Sequence, residues 1–180
     1  SPRRFEILKQ VGLIPDRVIS SNVDESVKKN EKPLDYVRRV AEKKNLALKQ
    51  ESGEYIVTAD TIVAMGTQIF GKPNTEAHAR HFLNQLSGRR HRVYTTVVVS
   101  CDDKKSIKTV LTSVKFKKLS QTEIDFYVLS NEWKDKSGGY AVQGLAARFI
   151  KELNGSYSNV MGLPALETVN LIGGMGYKVY

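Results

Sequence analysis

The chain has almost no cysteine: Cys101 stands alone among 180 residues, which excludes an internal disulfide and any zinc site built on cysteines. Histidine is nearly as scarce. His78 and His81 share an i, i+3 spacing that a metal could use, but no third ligand has matching spacing, and both read as ordinary, partly exposed residues. No apolar run is long enough to span a bilayer, and no signal-peptide pattern opens the chain, so a cytoplasmic protein with no membrane partner is expected. Internal repeats, low-complexity segments and linkers are missing too. "GGMG" near the C-terminus lacks the Lys-Ser/Thr of a Walker loop, no G-x-S-x-G elbow occurs, and Cys101 falls in mid-strand. Covalent catalysis therefore has no support.

What remains is enough for a core. With 41% hydrophobic residues, the chain is expected to fold as one domain over 1–180. Lys and Arg number 28 against 19 Asp and Glu, and that excess favours polyanionic partners. A basic but otherwise ordinary surface accounts for the charge equally well. No RNP-type aromatic motif or recognition helix is present, so nucleic acid is not an expected partner.

Ser1 and Pro2 are suited to start a helix that Gly12 can end. "RVISSNVDE" reads as a strand entering an acidic turn, and residues 33–50 as a helix with Leu34, Val37, Val40, Ala41 and Leu48 on its apolar arc. "YIVTAD" is a buried strand, and "TIVAMGTQIFGKP" a hairpin turning near Gly66. A helix over 75–87 precedes two long strands paired around "DDKK". "SQTEIDFYVLS" carries a capping box from Ser120 to Glu123. "GYAVQG" and "ARFIKELNG" have strand and turn signals, a helix begins at Pro164, and "GYKVY" is a closing strand. The alternation predicts an α/β fold with a largely mixed sheet.

Several charges stand in unexpected places. Arg3 and Arg4 occupy the start of the first helix, where the backbone dipole is already positive, unless an anion binds there. Lys44 falls at 100° per residue within the apolar arc of its helix; it either meets an anion or snorkels to a rim. Asp60 follows "YIVTA", where its carboxylate would emerge as a buried strand stops; capping a turn is the alternative. Lys72 is held between Gly71 and Pro73, or is simply an exposed loop lysine. Glu25 and Asp24 add acids. Cations that hold phosphoryl oxygens and carboxylates that carry a metal or accept a proton are the inventory of phosphate chemistry. The residues alone lead to a protein that binds or cleaves a phosphorylated small molecule.

The ordered series "SPRR", "VDE", "YVRRVAEKK", "ADTIV", "GKP", "LSGRRHRVYT", "SGGYAVQG" and "GSYSNVMGLPALET" resembles the Maf family of nucleoside triphosphate pyrophosphatases along essentially the whole chain. The resemblance implies an elongated α/β fold with a mixed sheet flanked by helices around a central nucleotide-binding cleft. It also implies a strand of small residues ahead of "SPRR". The implied reaction needs a divalent metal, Mg²⁺ or Mn²⁺, and cuts a nucleoside triphosphate between the α and β phosphates. Asp60 looks like the proton acceptor for water, Ser1 and Arg4 like phosphate holders, and Glu25, Lys44 and Lys72 like the other charged residues of the cleft. Arg3, Thr61 and Gln143 resemble the residues that separate a dTTP/UTP branch from one acting on 7-methyl-GTP. The implied partner is a nucleoside triphosphate; a homodimer is left open. Two alternatives accompany this reading: a nucleic-acid-binding or cell-division (septum) regulator, and a pyrophosphatase for purine or 7-methyl-GTP substrates.

Overall fold

A hairpin of two long strands forms the spine of the protein. The structure, a computed structural model, describes residues 1–179. In chain order its elements are α1 (Pro2–Gln10), α2 (Pro33–Leu46), β1 (Ile56–Met65), β2 (Gln68–Phe70), α3 (Glu76–Leu86), β3 (Arg90–Cys101), β4 (Lys104–Phe116), α4 (Gln121–Leu129), β5 (Ile150–Asn154), α5 (Tyr157–Met161) and α6 (Ala165–Gly174). Short 3₁₀ turns cover Ser137–Gly139 and Leu145–Phe149.

The helices-and-sheet architecture is as expected, but the sheet differs in one respect. Its order is β2-β1-β3-β4-β5, and every pairing among the described residues is antiparallel instead of mixed. The reason is local. β1–β2 and β3–β4 are hairpins with tight turns at Gly66 and Asp102, and tight turns can only join antiparallel neighbours. The valine-rich runs of β3 alternate between two buried faces.

One core lies where α3 and α4 cover the sheet around Phe70, Leu83, Phe116 and Tyr127. A second joins α1 and α6 to the other half through Ile7, Val97, Leu163 and Ile172. The third seats α2 on β1, with Tyr36, Val37 and Val40 against Ile62. The Thr58 hydroxyl adds a hydrogen bond to the Ala41 carbonyl at 3.1 Å. α2 is shorter than its sequence pattern: it ends at Leu46, and Leu34 is exposed while Tyr36 takes its place in the core. The Ser120–Glu123 capping box is present.

Three local expectations do not hold. "RVISSNVDE" is irregular and not a strand. Side chains of α2 hold it instead: Tyr36 Oη donates to the Glu25 carbonyl at 2.8 Å, and Arg39 Nη2 to the Ser26 carbonyl at 2.9 Å. "YIVTAD" does not stop at Asp60, because β1 continues to Met65 as one strand. Residues 177–179 form no strand, and Tyr180 lies outside the described residues.

Candidate active site

Asp60 and Thr61 are consecutive on β1 and therefore send their side chains to opposite faces of the sheet. Asp60 points to α2, and Thr61 to the side of α1 and α5. Among the described residues, the edge of β1 away from β3 is paired only at Val63–Met65. A cleft of about 1020 Å³ opens across this edge and reaches both faces. Ser1, Arg3, Arg4, Glu25, Lys44, Asp60, Thr61, Lys72 and Gln143 all line it. Asp24 does not; it is exposed and accepts the Ser26 N–H at 2.9 Å.

Lys44 reaches inward from α2, as its place in the helical period requires. Its ammonium lies 2.7 Å from Asp60 Oδ1 and 2.8 Å from Glu25 Oε1. It does not snorkel to solvent, since only 12% of the side chain is exposed. Asp60 is buried in mid-strand, and Lys44 is what makes that burial tolerable. Burial opposes ionisation of Glu25, but Lys44, Lys72 and Arg4 outweigh it and hold the carboxyl below its ordinary value. Lys72 Nζ stands 4.0 Å from Glu25 Oε2. The loop beneath Lys72 is fixed from the far side of the cleft, where the Gly138 N–H donates to the Gly71 carbonyl at 2.9 Å. Gly138 (φ 72°) packs so closely on β1 that a Cβ would come within 2.7 Å of Val63 Cγ2.

Across the strand, Arg4 Nε donates to the Gly162 carbonyl at 2.7 Å and Nη2 to Thr61 Oγ1 at 3.3 Å. Thr61 Oγ1 also lies 2.9 Å from Thr95 Oγ1, whose hydroxyl donates to the Asn159 carbonyl at 2.9 Å. Asn159 is itself buried and donates to Thr112 Oγ1 at 2.9 Å. A polar chain thus runs from the interior to the Arg4 guanidinium. Burial lowers the Arg4 pKa, while Asp60 and Glu25 act against the shift. Ser1 stands at the N-cap of α1 but makes no side-chain cap bond, so its hydroxyl is not consumed by the helix. No acidic residue occupies the first turn of α1.

Sequence reasoning missed a second charged group at the mouth of the cleft: Glu132, Lys134, Asp135 and Lys136. These lie in "NEWKDKSGG", and the only signal was a dense run of charge beside a buried tryptophan and two glycines. Burial and the neighbouring Arg3 lower the Lys136 pKa. Burial likewise lowers that of Arg3, against Asp135. Arg3 Nε is buried without a hydrogen-bond partner. In all, six cations face four carboxylates along the cleft, an excess suited to a polyanionic ligand.

The family model described as Maf-like protein matches residues 1–175. The chain belongs to the Maf family. It is 45% identical over 179 residues to the dTTP/UTP pyrophosphatase of Paramagnetospirillum magneticum, a match covering 98% of this chain and 94% of that protein. The dTTP/UTP pyrophosphatase of Caulobacter vibrioides is 45% identical over 180 residues, covering 99% and 93%. That of Maricaulis maris is 46% identical over 180 residues, covering 99% and 86%.

Other candidates stand apart from the cleft. His78 and His81 lie exposed on α3, where His78 packs edge-on against Phe82. Among the described residues no group of three or more His, Cys, Asp or Glu side chains could hold a metal ion. Glu25, with a third of its side chain exposed in the cleft, fits a hard divalent cation, because such ions commonly take one or two carboxylates and complete their shell with water and phosphate oxygens. No helix of the described residues is long and apolar enough to cross a membrane.

Proposed function

We propose that the protein is a nucleoside triphosphate pyrophosphatase acting on dTTP and UTP, releasing the nucleoside monophosphate and pyrophosphate. The observation that carries this reading is the Glu25–Lys44–Asp60 group, set in a cationic cleft of about 1020 Å³ beside the start of α1. The names of the relatives supply the substrate pair.

In the reaction, water adds to the α phosphorus, the bond from that phosphorus to the α–β bridging oxygen breaks, and pyrophosphate leaves with that oxygen. Asp60 accepts the proton: Lys44 engages Oδ1, and Oδ2 takes the water. Ser1 and Arg4 hold phosphoryl oxygens at the helix start, where the dipole adds to the guanidinium. Lys72 and Lys44 neutralise the charge that develops on the leaving pyrophosphate. Glu25 would hold a divalent ion such as Mg²⁺ or Mn²⁺, which would supply charge neutralisation on the phosphates. Gln143, exposed within the cleft, reads the base by an amide that offers both a donor and an acceptor. Arg3 and Thr61 border the same space.

A panel of nucleoside triphosphates with Mg²⁺, including UTP, dTTP, GTP and 7-methyl-GTP, tests the reading when products are identified by chromatography. The expected result is UMP or dTMP plus pyrophosphate, with no diphosphate intermediate. Stepwise release of orthophosphate, or preference for a guanine nucleotide, overturns it.

A further inference from the structure

Gln143 sits on a stretch, Ala141–Leu145, that is not part of any strand. Its two ends are nevertheless fixed by side chains from a single place. The Ala141 N–H donates to Tyr127 Oη at 3.2 Å, and the Leu145 N–H donates to Glu132 Oε2 at 3.0 Å. Tyr127 is fully buried in the last turn of α4, and Glu132 follows directly after that helix. Between these two bonds lie Val142, Gln143 and Gly144.

Glu132 is itself tightly placed. Its N–H donates to Ser130 Oγ at 3.2 Å, and the next residue, Trp133, ties its indole N–H to the Val128 carbonyl at 3.0 Å. Gly144 approaches so closely that a Cβ there would overlap both Glu132 carboxylate oxygens. Only glycine allows this contact, so the backbone beside Gln143 rests on the carboxylate. Glu132 Oε1 is buried and has no hydrogen-bond partner. Leaving a buried carboxylate oxygen unpaired is unfavourable, and the fold alone does not require it.

We propose that Glu132 is a positioning residue for base selection: by holding Leu145 and bearing on Gly144, it fixes the direction in which Gln143 presents its amide to the nucleobase. Tyr127 holds the other end of the stretch. The inference rests on the reading of Gln143 as the base-contacting residue. Its physical basis is that a hydrogen-bonded site discriminates strongly only when its polar groups are held in place, so that a wrong base leaves them unpaired.

The test compares kcat/KM for UTP and for GTP in the wild type and in Glu132→Ala, Glu132→Gln and Gln143→Ala. Glu132→Ala is expected to reduce the UTP-over-GTP ratio on the order of tenfold or more, mainly through KM for UTP, with kcat changed only a few-fold. Glu132→Gln keeps an acceptor oxygen for Leu145 and should restore most of the ratio. If the alanine variant does not fold, Glu132→Asp serves: it keeps the charge but falls one methylene short of the Leu145 N–H, and it too should lose selectivity. Loss of selectivity in Gln143→Ala but not in the folded Glu132 variants overturns the bracing role and leaves the base-reading assignment standing. Unchanged selectivity in both overturns both.

Discussion

Lys44 lies 2.7 Å from Asp60 and at the same time 2.8 Å from Glu25, so one ammonium joins a strand carboxylate to a carboxylate on an irregular segment. The three groups come from α2, β1 and the stretch before α2, and they meet at the end of the cleft proposed above as the reactive one. Removing any one changes the charge seen by the other two.

Asp60→Asn keeps the shape and removes the proposed proton acceptor. Turnover of UTP at saturating Mg²⁺ should fall by about 10²- to 10⁴-fold, while binding of a non-hydrolysable UTP analogue, measured by calorimetry, stays within a few-fold. Recovery of the rate at high metal concentration would instead make Asp60 a metal ligand.

Lys44→Met leaves Glu25 and Asp60 facing each other without the cation that joins them. Stability at pH 7.5 should drop by about 1–3 kcal/mol, less than for a fully buried pair because a third of Glu25 is exposed. In the wild type the depressed Glu25 pKa stabilises the fold above the ordinary carboxylate range, and this share is lost as pH falls through the folded value. The difference between variant and wild type should therefore shrink toward acid. Urea unfolding at pH 7.5 and at pH 3.5, below the ordinary carboxylate value, measures it; an equal deficit at both values contradicts the bridge.

Thr61→Val removes the hydroxyl that receives Arg4 Nη2 and meets Thr95. KM should rise several-fold for every nucleotide alike, because the group it steadies, Arg4, is the proposed phosphate holder, and Thr61→Ser should restore it. A change in base preference at constant KM for the preferred substrate would show that Thr61 contacts the base directly.

His91 is buried against Phe116 and Tyr140, with Nε2 2.8 Å from Tyr140 Oη and Nδ1 unpartnered. Burial pushes its pKa down to about 4. Between the unfolded value near 6.5 and the folded one, only the unfolded chain takes up this proton, so stability falls as pH drops through that window. The loss approaches about 3 kcal/mol at its acid end. In His91→Gln the decline between pH 6.5 and 4.5 should be shallower than in the wild type, as denaturant titrations at each pH can establish; parallel curves exclude His91 as the source.

Much of this protein follows from local pattern. The periods of the helices and strands, the Ser120 capping box, the turn at Gly66 and the inward bearing of Lys44 are properties of short segments, and neighbouring residues suffice to express them. What Lys44 meets is a different matter. Asp60 is 16 residues away and Glu25 lies on a segment without regular structure, so their convergence depends on α2 docking against β1. The sequence pattern also made Asp60 the end of a strand, because a charge in mid-strand is unfavourable; burial there is possible only with a cation supplied from another element. The same holds for the opposite pole. Glu132 and Gln143 belong to separate turns, and no periodicity relates them. The two turns meet because α4 anchors one of them and a glycine at 144 lets the backbone of the other close on the Glu132 carboxylate. Local chemistry decides which groups are available, whereas long-range packing decides which of them share a low-dielectric space, and only there do their charges act on one another strongly enough to form a site.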